Sequence, residues 1–300
     1  LARIVVIGEA MLEIARARPS VADGEWRLGY GGDTLNTAIH LARAGHDVGY
    51  LTALGNDPLA ADLKDKWAAE GLDTSLVLDH PTRNTGLYAI STDARGERNF
   101  TYWRDSSAAR EMLALPGSAA ALDVAGKADL IVFSLITLAI LSPEGRTILL
   151  DLARGVRANG GVVAFDGNYR ARLWGSAEDA RSARDAAIAC ADFGLPTLED
   201  EAALGTDARA DAVAAHWQRL GCIETVVKLG AAGCRLPDGE LVTPDAVLDP
   251  IDTSGAGDAF NAGYLGARLN GADARDAARA GHRLAGWTIM RPGAIPARDP

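Results

Sequence analysis

Short β-branched runs alternate with amphipathic helical stretches along most of this chain, and few folds accept that rhythm. The run Arg3–Ile7 closes on Gly8 and is apolar on both faces, as expected of a strand buried between two layers. Residues 33–44 follow Gly31-Gly32 and place Leu35, Ala38, Ile39 and Ala42 at helical spacing, with Asp33 or Thr34 as the expected N-cap. Residues 48–54 return to strand, and residues 58–70 read as a helix opened by Pro58 and closed at Gly71. Strands over 129–134, 162–166 and 224–229 then alternate with helices over 143–159, 177–189 and 211–220. The expected fold is α/β: a parallel sheet with helices on both faces, in a single domain over residues 1–300. At 300 residues, with 48% hydrophobic and 23% charged, such a chain can bury its core without disulfides or metal.

Two stretches break the rhythm. Residues 84–90 and 98–103 are strand-like, and Asp93-Ala94-Arg95-Gly96 between them reads as a hairpin turn. Together with part of the N-terminal segment they predict a small antiparallel β lid over about residues 9–30 and 84–104. A lid beside an α/β crevice would exclude water from chemistry; a plain surface hairpin fits the same pattern.

The sharpest local signal is Asp252-Thr253-Ser254-Gly255-Ala256-Gly257-Asp258-Ala259-Phe260. Phe260, Gly263, Tyr264, Ala267 and Leu269 continue it at helical spacing, which puts Gly255, Ala256 and Gly257 at a helix N-terminus. Unpaired amides and the helix dipole favour an anion there, and glycine lets it approach closely. A carboxylate in such a turn would repel phosphate unless Asp258 serves as a base for a hydroxyl; a capping Asp is the alternative. Gly31-Gly32-Asp33-Thr34-Leu35-Asn36-Thr37-Ala38 is a second glycine-led helix start, with Asp33 and Asn36 suited to sugar hydroxyls, or a plain turn and cap. Neither is a Walker A loop or a dinucleotide fingerprint.

Net charge is −10 and pI about 5.0, which disfavours grip on a nucleic acid backbone. Residues 130–141, the longest apolar run, are too few to span a bilayer, so no membrane partner is expected. Cys190, Cys222 and Cys234 form no CxxC pair and read as buried thiols of a reducing, cytoplasmic compartment. His40, His46, His80, His216 and His282 show no ligand spacing.

The two glycine-led segments together resemble the ribokinase-like (PfkB) carbohydrate kinases, and the resemblance covers almost the whole chain. It implies the ribokinase-like fold, a kinase using ATP and Mg²⁺, Asp258 as catalytic base and Gly255, Ala256 and Gly257 as anion hole. Lys228-Leu229-Gly230-Ala231-Ala232-Gly233 is similar to the family's turn for nucleotide phosphates, and with Asn168, Tyr169, Arg170 and Gly255 to Asp258 it would line the ATP channel. Tyr102-Trp103-Arg104 and Phe165 to Trp174 resemble members that phosphorylate 2-keto-3-deoxygluconate, an Entner-Doudoroff sugar acid. That resemblance assigns Gly32, Asp33, Thr34, Leu35, Asn36, Asp252 and Asp258 to the substrate. Arg170 would meet its carboxylate, and Tyr88, Tyr102, Trp103 and Arg104 would reach it from the lid. Arginine independently suits a planar carboxylate. The family's Asn-x-x-Glu, which organises magnesium, falls on Leu198-Glu199-Asp200-Glu201, so Glu201 fits, acting indirectly, while Leu198 departs from the pattern. Glu199 and Asp200 read as solvated helix surface. The family's lid edge often pairs with a second copy. A neutral sugar such as fructose or ribose, and a catalytically silent sugar-acid-binding protein, stay open as alternatives.

Overall fold

In the computed structural model, which describes residues 2–16, 26–92 and 98–298, the chain opens with β1 (Arg3–Ile7), β2 (Met11–Arg16) and β3 (Trp26–Gly31). There follow β4 (Asp47–Gly55), β5 (Val77–His80), β6 (Gly86–Thr92), β7 (Arg98–Trp103), β8 (Leu130–Ser134) and β9 (Val162–Asp166). The short strands β10 (Phe193–Gly194), β11 (Glu224–Thr225), β12 (Val227–Lys228), β13 (Cys234–Arg235) and β14 (Leu241–Val242) complete the set. The helices are α1 (Asp33–Arg43), α2 (Pro58–Ala69), α3 (Ser118–Ala125), α4 (Leu135–Ile140) and α5 (Pro143–Ala158). After them come α6 (Ala177–Ile188), α7 (Leu198–Ala203), α8 (Ala210–Leu220), α9 (Ala256–Leu269) and α10 (Ala274–Ile289).

Seven strands make one sheet in the order β11-β10-β9-β8-β1-β4-β5, with every neighbour parallel. Alternate side chains of β1 feed two cores. Ile4 and Val6 pack with Tyr50, Trp67 and Tyr264, whereas Val5 and Ile7 pack with Phe133, Phe165 and Trp217. Each fully buried aliphatic or aromatic side chain contributes about 1.5–3 kcal/mol, which is why the strands carry no polar face. From β1 the chain runs one way to β4 and β5, then returns to β8 on the other side. That reversal opens a crevice at the strand C-termini, where ligands bind in open α/β sheets.

A four-stranded sheet, β3-β2-β6-β7, stands over this crevice. Its edge pairs are antiparallel and its inner pair, β2 with β6, is parallel, because both strands leave the same end of the parallel sheet after β1 and β5. The expected turn at 93–96 and part of the 9–30 segment lie outside the described residues.

Two local expectations need correction. The N-cap of α1 is Gly32, with Asp33 as first helical residue and no side-chain cap. The expected strand at 224–229 is split: β11 joins the main sheet, while Gly230 and Gly233, both at positive φ, turn the chain so that β12 pairs with β13. The apolar run 130–141 changes from β8 to α4 at Ser134, whose hydroxyl caps the Thr137 amide. The three cysteines are buried and unpaired, and burial pushes the Cys222 and Cys234 thiols up to about 11 and about 12.

Candidate active site

Helix α9 begins at the crevice floor. Gly255, its N-cap, is left-handed (φ 70°), and a Cβ there would come within 2.6 Å of Ala294 Cβ, so only glycine fits. The turn before it is held by Asp252, which accepts from Ser254 N (2.9 Å) and Gly293 N (2.7 Å). Asp252 is buried in that role and does not line the cleft, contrary to its expected substrate contact. Gly255, Ala256 and Gly257 do line it, at a helix start where the Ala256 amide bonds the Thr253 carbonyl (3.3 Å).

A buried triangle stands beside this turn. Lys228 Nζ donates to Asp166 Oδ1 (3.1 Å) and Asn261 Oδ1 (3.0 Å), and Asn261 Nδ2 donates to Asp166 Oδ2 (2.8 Å). The ammonium lies 3.6 Å from where a Gly257 Cβ would be, next to the helix amides. Positive charge and amide donors thus converge on one point.

Asp258, in the first turn of α9, accepts from Asn36 Nδ2 at 2.7 Å. Its carboxyl is pushed up to about 8, first by burial and then by Asp33, with the Asn36 hydrogen bond and Lys228 opposing and Asp166 adding repulsion. Burial therefore outweighs the helix dipole. Asp33 is raised too, mainly by burial, and accepts from Asn168 Nδ2 at 3.1 Å. The Asn36 Oδ1 is buried without a partner.

The lid closes a cleft of about 740 Å³ over this floor. Tyr88 stacks on Tyr102 (ring centres 5.8 Å apart) and donates its hydroxyl hydrogen bond to Glu13, while Phe100 packs against both rings (6.2 Å from Tyr102 and 6.4 Å from Tyr88). Arg104 is buried against Glu9, which also accepts from Ser107, and the Arg104 Nε has no partner. The Arg172 guanidinium, from the body of the molecule, sits 3.7 Å above the Tyr102 ring.

Of the residues expected at the sugar, Gly32, Asp33, Asn36, Tyr88, Tyr102, Arg104 and Arg170 line the cleft. Thr34 and Leu35 do not: Thr34 bonds the Tyr50 hydroxyl (3.0 Å) and Leu35 is fully buried in the core. Trp103 is 57% exposed on the far face of the lid, since adjacent strand residues point oppositely. At the expected nucleotide segment, Asn168, Lys228 and Gly230 line the cleft, whereas Tyr169 is packed into the core. Leu229, Ala231, Ala232 and Gly233 form the turn that returns to β13 and do not line it. Arg170 reaches Asp200 (3.3 Å) and the Tyr169 carbonyl (2.6 Å).

Glu201 points away from the cleft. Fully buried, it accepts from Arg184 (2.7 Å), Thr206 (2.9 Å) and Trp217 Nε1 (2.9 Å), tying α6, α7 and α8 together. Its neighbour Asp200, expected on a solvated surface, lines the cleft instead, and burial pushes its carboxyl up to about 6 against the pull of Arg170. Glu9, Glu13, Asp166 and Arg172 were also not singled out. Only Asp166 carried a signal, as the polar end of a buried strand.

The pattern of the pfkB family carbohydrate kinases matches residues 1–299. The chain belongs to that family. This PfkB kinase is 44% identical over 307 residues to the 2-dehydro-3-deoxygluconokinase of Escherichia coli (strain K12), covering 99% of this chain and 98% of that protein. It is 41% identical over 302 residues to the enzyme of the same name from Dickeya dadantii (strain 3937), covering 97% and 96%. A crystal structure of a PfkB protein from Polaromonas sp. JS666 superposes with a TM-score of 0.85 at 28% identity, covering 99% and 98%. Among the described residues of this PfkB kinase, no helix is long and apolar enough to cross a membrane, and no three His, Cys, Asp or Glu side chains group to hold a metal ion.

Proposed function

We propose that this kinase transfers the γ-phosphoryl group of ATP to the 6-hydroxyl of 2-keto-3-deoxy-D-gluconate, giving the 6-phosphate and ADP. The observation that carries the reading is Asp258, bonded to Asn36 at the start of α9 beside Lys228 and the Gly255–Gly257 turn. The relatives that share more than 40% of the sequence carry the name of that activity and suggest the substrate.

Asp258 would accept the proton of the attacking hydroxyl as its oxygen bonds to phosphorus and ADP departs. A base near 8 is matched to this task around neutral pH. The bond-exchanging phosphoryl group leaves little covalent work, so positioning and fixed charge supply most of the rate. Lys228, locked by Asp166 and Asn261, and the helix-start amides would meet the phosphate oxygens without reorganising. Asp33, steadied by Asn168, suits sugar hydroxyls. Arg170, beside Asp200 and lining the cleft, would reach the sugar-acid carboxylate and the nucleotide. Magnesium arriving with ATP would neutralise phosphate charge, and the half-buried, cleft-lining Asp200 would be its protein contact. We place the protein in the cytoplasm, without nucleic acid or membrane partners, and infer that two copies pair through the lid.

A neutral sugar is the second reading, favoured by the Glu9 and Asp200 carboxylates that already engage Arg104 and Arg170. ADP release with Mg·ATP and 2-keto-3-deoxygluconate, gluconate, fructose, ribose or adenosine decides between them. We expect turnover of the keto-deoxy acid, and a kcat lower by about 10²–10⁴-fold in Asp258→Ala with ATP binding retained. Turnover of fructose or ribose alone overturns the substrate; an Asp258→Ala protein as fast as the parent overturns the base; no ATP consumption at all leaves the silent binding protein.

A further inference from the structure

A second cavity, of about 700 Å³, opens between α6, α8 and the loop that joins α7 to α8. It shares no lining residue with the cleft described above. Although the chain as a whole carries a net charge of −10, four arginines line this cavity: Arg181 and Arg184 of α6, Arg209 at the end of the loop, and Arg219 of α8.

The carboxylates around the cavity are already matched. Arg209 holds Asp207 (2.9 Å), and Arg235 of β13 holds Asp211 (2.7 Å). Arg184, only 2% exposed, takes Asp185 (2.9 Å) and the buried Glu201 (2.7 Å). Two guanidiniums are left over. Arg181 touches only the Leu204 carbonyl (3.4 Å), and Arg219 has no hydrogen-bond or ion-pair partner among the described residues. Unmatched guanidiniums from two helices, with a fixed cation buried in the wall between them, suit a phosphate group, whose oxygens take several N–H donors at once. The space is that of a small-metabolite site rather than of a bare ion, and Asp207 and Asp211 can accept from hydroxyls beside the phosphate.

The wall also leads to the active cleft. Besides Glu201, Arg184 donates to Thr206 (3.0 Å) and to His216 Nε2 (3.1 Å). Glu201 sits in the six-residue helix α7, and the residue before it, Asp200, lines the active cleft. A phosphate in the cavity competes for the guanidinium that holds Glu201, and so acts on the helix that presents Asp200.

We propose that this cavity is a regulatory site for a small, hydroxylated phosphate ester, and that filling it weakens ATP binding by drawing Arg184 from Glu201. The coupling rests on the reading of Asp200 at the ATP end of the cleft; the site itself does not.

The test is titration calorimetry with 3-phosphoglycerate, glycerate and inorganic phosphate on the parent, Arg181→Ala and Arg219→Ala proteins, with ADP release at varied ATP measured on the same samples. Both arginines are exposed, so the variants keep the fold. 3-Phosphoglycerate should bind the parent and bind each variant about 10–100-fold more weakly, the worth of a charged hydrogen bond. Inorganic phosphate should bind less tightly than the ester, and glycerate not at all. The ester should raise the KM for ATP about fivefold or more in the parent and leave it unchanged in Arg219→Ala, and ATP should weaken the ester by the same factor. Affinity unchanged in either variant places the ester elsewhere, the active cleft included, and overturns the site, as does an absence of binding. Phosphate or glycerate binding as tightly as the ester overturns the ligand class. An ester held by the arginines that leaves the KM for ATP unmoved overturns the coupling. A protein that consumes no ATP fails the function proposed above, while calorimetry still decides the site.

Discussion

The floor of the cleft and its lid are built on opposite terms. On the floor, buried polar side chains from α1, β9, β12 and α9 hold one another: Lys228, Asp166 and Asn261 form a closed hydrogen-bonded triangle, and Asn36 holds Asp258. The lid presents stacked rings, and its polar ties to the body are few, chiefly Arg104 to Glu9 and Tyr102 under Arg172. The rigid part carries charge that must not move during transfer, while the part resting on ring contacts can lift and settle. The contrast also divides the floor itself. Asp166 faces a cation and an amide; Asp258 faces Asp33 and Asp166 and stays protonated until about pH 8.

Removing the floor's cation should do most damage. Lys228→Met leaves Asp166 buried with only Asn261 beside it, and should cost on the order of 3 kcal/mol of stability, read by urea denaturation, besides turnover. A loss below roughly 0.5 kcal/mol would place that carboxylate in bulk-like water.

The next effect is in pH. The Asp258 carboxyl is raised from an unfolded value near 4, so the folded state holds its proton more tightly. Its unfavourable contribution is absent below about pH 4, grows as pH rises, and is complete above about 8. The Tm of Asp258→Asn relative to the parent should accordingly climb between those limits and then level off, while kcat/KM of the parent rises toward pH 8. A pH-independent Tm difference would contradict the buried, repelled state of this carboxyl.

Smallest of all should be Trp103→Ser, on the exposed outer face of the lid. Its kcat/KM should stay within about twofold, the range of a surface substitution. If two copies pair through this face, light scattering should show a lower mass.

The parallel sheet was legible because strands buried on both sides are mainly apolar runs with few polar residues, such as Thr52 and Asp166, and α9 because glycines announced its start. The site was legible where a residue's role depends on near neighbours, as at Gly255 to Asp258. It failed where geometry decides. Tyr102 and Trp103 are adjacent in a strand and cannot share a face; Asp200 and Glu201 are adjacent on a helix, where a turn of about 100° sends one to the cleft and the other to the core. Arg104 meets Glu9 across 95 residues of sequence, a pairing no local pattern contains.

One contact has a bearing on how activity is acquired. The start of α9 is seated against Ala294, Gly293 closes on Asp252, and His40 and Arg43 hold the carbonyls of Ala294 and Pro296. The cleft is thus walled at once by residues near both ends of the sequence, Glu9 and Ala294 among them. On the ribosome, a nascent chain could complete all seven parallel strands and still lack a finished anion site, because the piece that sets the helix start emerges after everything it braces.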